Sequence, residues 1–192
     1  MLDSRPTTSL RRLFSLKDGR LLDVPSHGSR ADANSDGTDA RFANMLCGEP
    51  LLRLTQGAYG HIMEYHTARE PEVGGMLLGP VTDDLVTHFV PDETGHATAT
   101  SFTLDAAAMN RSLVRHRRCG MNAKGLVHLH PPGVTWPSCG DVQYVAKSFA
   151  NPRNKDAVQF LLPIVCEGRL YPYVILRGDD LIHVLVANLL LV

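Results

Sequence analysis

Cysteine is scarce in this chain, and its few cysteines lie far apart. Cys47, Cys119, Cys139 and Cys166 form no Cys-x-x-Cys pair. The sequence therefore indicates neither a structural zinc knuckle nor a thioredoxin-like redox motif. A disulfide framework is not expected either, because such frameworks need closely spaced cysteines in a short secreted chain.

The chain also lacks an excess of charge of either sign and any long apolar run. Its 19 basic and 20 acidic residues leave a net charge of -1. The sequence therefore lacks the excess of positive charge that is typical of proteins that bind nucleic acid or an anionic membrane. The N-terminus has neither the basic start nor the long apolar segment of a secretory signal, and no apolar run is long enough to span a bilayer. We therefore expect a cytoplasmic protein that binds neither nucleic acid nor membrane.

The composition predicts one domain preceded by an extension. A chain of 192 residues with 44% hydrophobic content can bury one ordinary core, which we assign to residues 51–192. In the extension, residues 1–50, a hairpin turn is predicted around residues 17–19, and a polar flexible linker covers about residues 26–44. Whether the hairpin is an appendage, a docking strand or an oligomer contact stays open.

Apolar periodicity predicts an alternation of helices and strands after residue 50. Helices are predicted at residues 55–67, 104–117 and 141–149. Strands are predicted at residues 72–78, 85–90, 125–130, 158–165, 171–176 and 181–186, with a polar loop at 92–100. The expected fold is α/β, a mixed central sheet flanked by helices.

Two histidines, a serine and an aspartate are gathered in one short segment: His128, His130, Ser138 and Asp141. Two imidazoles one residue apart face the same side of a strand, so their neighbours Val127 and Leu129 face the core while the histidines share one metal ion. Asp141 then supplies a third ligand. Three protein ligands leave the fourth position of a tetrahedral zinc open, as a catalytic zinc site requires.

Hydrolysis of a peptide bond also needs a base, and the best candidate lies upstream. Glu72 begins the apolar, glycine-rich run at residues 71–79, which is typical of a buried strand. Gly74 and Gly75 have no side chains, so a neighbouring backbone or a substrate chain can approach closely there. Glu72 at the end of this strand is predicted to reach a zinc-bound water.

Together these residues resemble the JAMM, or MPN-plus, metalloproteases. The pattern of that family is a glutamate followed by His-x-His, seven residues, Ser, two residues and Asp, and every element is present here. The resemblance, which extends from about residue 51 to about residue 185, implies a JAB/MPN-type domain with one Zn²⁺ bound by His128, His130 and Asp141. It also implies that Glu72 is the general acid and base, and that Ser138 stabilises the tetrahedral intermediate.

Competing interpretations exist for several of these residues. Ser138 and Asp141 also suit the start of a helix, and both roles can hold together. Cys139 is a rival ligand, but its thiolate would lower the Lewis acidity of zinc. Trp136 either lines the substrate cleft or packs over the loop. Six further histidines are interpreted as ordinary surface or core residues: His61, His66, His88, His96, His116 and His183.

The resemblance implies a deubiquitinase-like peptidase or isopeptidase that cleaves after the C-terminal glycine of a ubiquitin-like protein. A bacterial context, with activating and conjugating enzymes encoded in the same operon as partners, rests on the resemblance alone. Two alternatives stay open. One is a hydrolase that processes a sulfur-carrier protein, and the other is a non-catalytic MPN binding module, which is disfavoured because no metal ligand is missing.

Overall fold

The computed structural model describes residues 12–17, 20–24, 49–67, 72–97, 102–178 and 181–192. The linker predicted at residues 26–44 lies outside these ranges. Three α-helices occupy the described part of the chain: α1 (Gln56–Thr67), α2 (Ala106–Arg117) and α3 (Cys139–Ala150). Each predicted helix is confirmed to within two residues at either end. Among the described residues, no helix combines the length and apolar character that crossing a membrane requires.

The strands of the described residues are short, and most belong to one sheet. In chain order they are β1 (Arg12–Lys17), β2 (Arg20–Val24), β3 (Leu51–Leu54), β4 (Gly74–Pro80), β5 (His88–Pro91), β6 (His96–Ala97), β7 (Phe102–Thr103), β8 (Met121–Leu129), β9 (Gln159–Leu161), β10 (Ile164–Cys166), β11 (Arg169–Tyr171), β12 (Tyr173–Arg177), β13 (Leu181–Val186) and β14 (Asn188–Leu191). The result is a mixed α/β fold, which confirms the predicted class.

β8 is the centre of the main sheet. It pairs antiparallel with β4, which pairs in turn with β5, and it runs parallel to both β9 and β10. From β9 the sheet continues through β12 and β13 to β1 and β2. β8 therefore has both antiparallel and parallel neighbours. It contains His128 and ends one residue before His130.

Several predicted strand limits are wrong. The strand predicted at residues 158–165 is two strands, because Pro163 has no backbone N–H to donate and lies in the gap between β9 and β10. The strand predicted at 85–90 is β5, His88–Pro91, while Val86 forms only an isolated bridge to Leu54. β6 lies in the predicted loop at 92–100, and β8 begins four residues before the predicted residue 125.

The sheet separates two layers of helices. On one face, Ile62 and Tyr65 of α1 pack against Leu77 and Val127. On the other face, Met109 of α2 packs against alternate residues of β4, and Val142 and Val145 of α3 pack against Leu162 and Ile164. Burying each such aliphatic side chain contributes about 1.5–3 kcal/mol, so packing on both faces fixes the position of β8.

The N-terminal hairpin is part of the sheet. β1 and β2 pair antiparallel, with Lys17 opposite Arg20, which agrees with the predicted turn position. β1 also pairs with β13 over four residue pairs, from Arg12 opposite Val184 to Ser15 opposite Leu181. The hairpin therefore lengthens the sheet at the edge remote from β4 and β5.

Candidate metal centre

The predicted alternation along the end of β8 is confirmed. Val127 is fully buried, and Leu129 packs against the same core cluster, on the face covered by α1. His128 and His130 point to the opposite face and are also buried, at 8% and 5% exposure. Their ring centroids lie 4.4 Å apart, so the two imidazoles share one small space.

Asp141 completes this cluster from the first turn of α3. Its Oδ1 lies 3.3 Å from Nε2 of His128, and its Oδ2 lies 3.3 Å from Nε2 of His130. Tetrahedral zinc with bonds of about 2.0–2.2 Å places its ligand atoms about 3.3–3.6 Å apart. The two nitrogens and the carboxylate are therefore close enough together to hold one metal ion. Among the described residues, these three form the group able to hold a metal ion.

Ser138 fixes the aspartate in this position. It is the N-cap of α3, and its Oγ accepts a hydrogen bond from the backbone N–H of Asp141 at 3.2 Å. The backbone N–H of Ser138 donates in return to Oδ2 of Asp141 at 2.6 Å. This capping box confirms the predicted helix start and fixes the carboxylate of Asp141 in its orientation.

A carbonyl behind His130 orients its ring. Nδ1 of His130 lies 3.1 Å from the carbonyl oxygen of Val134. With a cation bound, Nδ1 would donate to that oxygen and leave the lone pair of Nε2 to the ion, the arrangement that metal-binding histidines usually have. The loop between β8 and α3 thus holds the ring of His130, the predicted ligand that follows the strand.

The pKa of Asp141 is held well below its usual range. Burial on its own would raise that pKa, but hydrogen bonds from His128 and His130, the charge of His128 and the bond from Ser138 outweigh it. Asp141 is therefore an anion at neutral pH. An ionised carboxylate between two imidazoles is ready to bind a cation.

Glu72 lies beside this cluster through the pairing of β4 with β8. Gly74 is opposite His128 in the register, and Leu129 donates a backbone hydrogen bond of 2.8 Å to Val73. Glu72 is buried, at 6% exposure. Its φ of 59° lies in the left-handed region, an uncommon conformation for glutamate that the surrounding structure must maintain.

The environment of Glu72 favours its protonated form. Burial raises the pKa of the carboxyl, and the charges of His128 and His130 only partly offset that effect, while Asp141 raises it further. A buried carboxyl with a raised pKa beside a candidate metal centre is suited to take up and release a proton.

These residues line one cavity of about 590 Å³. Glu72, His128, His130, Ser138 and Asp141 all contribute to its polar end. The rest of its wall is mainly apolar, and its larger residues are Leu104, Leu126, Val134, Tyr144 and Leu162. Sequence reasoning missed this second part, although Leu126 lies two residues before His128 and Tyr144 lies three after Asp141, so each shares a face with a predicted ligand.

Trp136 and Cys139 lie apart from the ligand cluster. The ring of Trp136 packs edge-on against Tyr173, with centroids 4.9 Å apart, and Trp136 is not among the described residues that line the cavity. This geometry favours its packing role, and its role in substrate binding stays a prediction. Cys139 is the exposed, free first residue of α3 and does not belong to the metal-binding group.

His66, interpreted from the sequence as an ordinary histidine, is deeply buried beneath the sheet edge. Its Nδ1 lies 2.6 Å from the carbonyl oxygen of Ile62, one turn earlier in α1, and its ring packs on Phe89. Burial lowers its pKa from the ordinary 6.5 to about 4. His66 is therefore a neutral core residue at physiological pH.

Comparison with known proteins yields a likeness of fold. No protein-family model and no curated protein sequence matches this chain. Among the solved structures that match is the solution structure of protein DSY2949 from Desulfitobacterium hafniense, with a TM-score of 0.55 and 18% sequence identity. The match covers 74% of this chain and 92% of that protein. It supports the α/β fold with a mixed sheet.

Proposed function

We propose that this chain is a zinc-dependent peptidase or isopeptidase of the JAMM, or MPN-plus, type. The observation that carries the proposal is the placement of Asp141 3.3 Å from both His128 and His130, in a cavity that Glu72 also lines. Three metal ligands and a separate buried carboxyl are the minimum set for metal-assisted hydrolysis of an amide.

His128, His130 and Asp141 would hold the zinc. When bound, the ion supplies Lewis acidity, which lowers the pKa of water to about 7 and polarises a carbonyl. Because the capping box and the Val134 carbonyl already orient two of the ligands, little reorganisation is needed when the metal binds.

Glu72 is the general base and then the general acid of the proposed reaction. Its carboxylate takes the proton of the attacking water and delivers it to the nitrogen of the leaving amine as the C–N bond breaks. The raised pKa of Glu72 suits a group that must both accept and donate the proton. Ser138 donates a hydrogen bond to the oxygen on which negative charge develops.

The substrate class follows from the resemblance to the family. We propose cleavage after the C-terminal glycine of a ubiquitin-like protein, either to release it from a conjugate or to process a precursor. Activating and conjugating enzymes would be functional partners in the same pathway. A thin, flexible glycine tail is suited to a buried metal site that bulky residues before the bond would not reach.

The direct test is cleavage of a panel of ubiquitin and ubiquitin-like fusions, including sulfur-carrier fusions, by the zinc-loaded protein. Glu72→Gln is run alongside, and Glu93→Gln, which replaces an exposed glutamate, is the matched control. We expect products that end in the terminal glycine, lost in Glu72→Gln and on addition of a chelator. Normal turnover by zinc-loaded Glu72→Gln would refute the proposal.

A further inference from the structure

The cavity at the candidate metal centre continues into an apolar groove between α2 and α3. We define this groove by six of the lining residues: Leu104, Ala106, Leu126, Val134, Tyr144 and Leu162. α2 and α3 pack on the same face of the sheet but in separate core clusters. The groove is the space that the two helices leave between them.

Leu126 forms the floor of the groove. It is half-buried and packs against both the α2 cluster and the α3 cluster. Because side chains alternate along a strand, Leu126 lies on the same face of β8 as His128, two residues later. The apolar floor therefore leads directly to a predicted metal ligand.

The walls of the groove come from the beginnings of the two helices. Leu104 and Ala106 lie at the start of α2, whose N-cap Asp105 is held by a 2.7 Å hydrogen bond from its backbone N–H to buried Asp92. Tyr144 lies one turn after Asp141 on α3. Leu162 lies between β9 and β10 and packs in the α3 cluster. Both walls are thus anchored to the sheet.

The chemistry of the groove selects its occupant. Among the described residues that line the cavity, none is lysine or arginine, and the charged ones are Glu72 and Asp141 at the metal end. Within the groove an anionic group would meet no lysine or arginine, whereas an aliphatic or aromatic side chain would exchange water for apolar contacts.

We propose that the groove binds the side chain of the residue that follows the scissile bond, and that a bulky apolar residue is preferred there. This inference rests on the proposed function. The glycine before the bond has no side chain to place in the groove, and we assign the groove to the residue on the leaving side. The groove is then a specificity subsite continuous with Glu72 and His128.

The test varies one substrate position and one protein position. Fusions from the panel are prepared with Leu, Phe, Gly or Asp immediately after the terminal glycine, and kcat/KM is measured with the zinc-loaded full chain. We expect Leu and Phe to exceed Gly by about tenfold or more, since that is the selectivity an apolar pocket provides, and Asp to be lowest.

Ala106→Phe and Ala107→Phe form a matched pair of variants. Both alanines are exposed in the first turn of α2, but only Ala106 lines the cavity. Ala106→Phe should fill the groove and abolish the preference for Leu over Gly, whereas Ala107→Phe should retain it. Equal turnover of all four substrates would overturn the subsite and leave the protease intact.

A binding measurement separates failure of the subsite from failure of the protease. Leucinamide, phenylalaninamide, glycinamide and aspartamide represent the leaving product, and their binding is followed by the NMR shifts of the Leu104, Leu126 and Leu162 methyl groups. We expect saturable shifts with the two apolar amides, lost in Ala106→Phe and kept in Ala107→Phe. If no fusion is cleaved, the proposed function fails. If, in addition, the apolar amides cause no shift of the three leucine methyl signals, the groove proposal fails as well.

Discussion

Ser138 and Asp141 are joined by two hydrogen bonds in opposite directions, from Ser138 N–H to Asp141 Oδ2 at 2.6 Å and from Asp141 N–H to Ser138 Oγ at 3.2 Å. The serine that the family pattern assigns to catalysis is therefore also the helix cap that holds a predicted metal ligand. Any substitution of Ser138 acts on both features, so the two effects need separate measurements.

Substitution of Ser138 by glycine separates catalysis from capping. Glycine is a tolerated N-cap that costs only a few tenths of a kcal/mol, whereas alanine costs about 1 kcal/mol. Both variants lose the hydroxyl donor, so we expect both to lose about 10²–10³ in kcat while still binding zinc. Thermal unfolding should distinguish them, with Ser138→Ala the less stable. Unchanged kcat in Ser138→Gly would leave Ser138 with the capping role alone.

Removal of a predicted ligand should abolish metal binding. We expect His128→Ala to lose both bound zinc and cleavage, as measured by metal content after dialysis and by fusion turnover. His88→Ala, which removes an exposed histidine on β5, should retain one zinc per chain. A full zinc complement in His128→Ala would contradict the assigned site.

Glu72→Gln should stabilise the metal-free protein at neutral pH. Because burial raises the pKa of Glu72, the folded state favours the protonated carboxyl, and stability falls as pH rises through the unfolded value toward the folded one. Glutamine is neutral at every pH and avoids that loss. Thermal unfolding with a chelator should give a higher Tm for Glu72→Gln at pH 7 than for the natural chain. The difference in Tm between the two proteins should become smaller as the pH is lowered.

The same comparison has a clear negative outcome. If Glu72→Gln unfolds at or below the temperature of the natural chain at pH 7, burial does not penalise the carboxylate, and the proton-transfer role loses its electrostatic support. Glu93→Gln is again measured alongside as the exposed substitution of the same type.

His66 should make the fold sensitive to acid. Its pKa is about 4 in the folded protein, and 6.5 is the ordinary value. As pH falls, His66 of the unfolded chain therefore takes up a proton at a higher pH than His66 of the folded protein. The free energy of unfolding decreases between about pH 6.5 and about pH 4, by up to about 3 kcal/mol. Urea unfolding across this range, with a chelator present, should show a shallower pH slope for His66→Gln. A slope equal to that of the natural chain would show that His66 is not the responsible group.

Much of the site was predictable because its chemistry is local. His128, His130, Ser138 and Asp141 lie close together in sequence, and strand alternation and helix capping act over two or three residues. The predicted partners therefore come together in the structure as expected. Glu72 was singled out by its position at the start of an apolar, glycine-rich run and by the family pattern. The pairing of Gly74 with His128, which brings it to the site, is a long-range contact that no local pattern reveals.

The missed features are those that depend on distant segments. β3 and β14 are four residues each and pair across most of the chain, too short for a periodic pattern to reveal. The apolar groove likewise combines residues near 104, 126, 144 and 162. The position of Trp136 in the loop before α3 is visible in the sequence, but its contact with Tyr173 is not.

The sequence by itself determined the helices, most of the strands and the spacing of the predicted metal ligands, because these follow from apolar periodicity and short-range geometry. Only the tertiary structure decided where Glu72 lies, how deeply His66 is buried and what surrounds the cavity. Those properties come from the packing of β4, α2 and α3 around β8. Burial and long-range pairing set the pKa values and the shape of the site, and neither is written in any one segment of the chain.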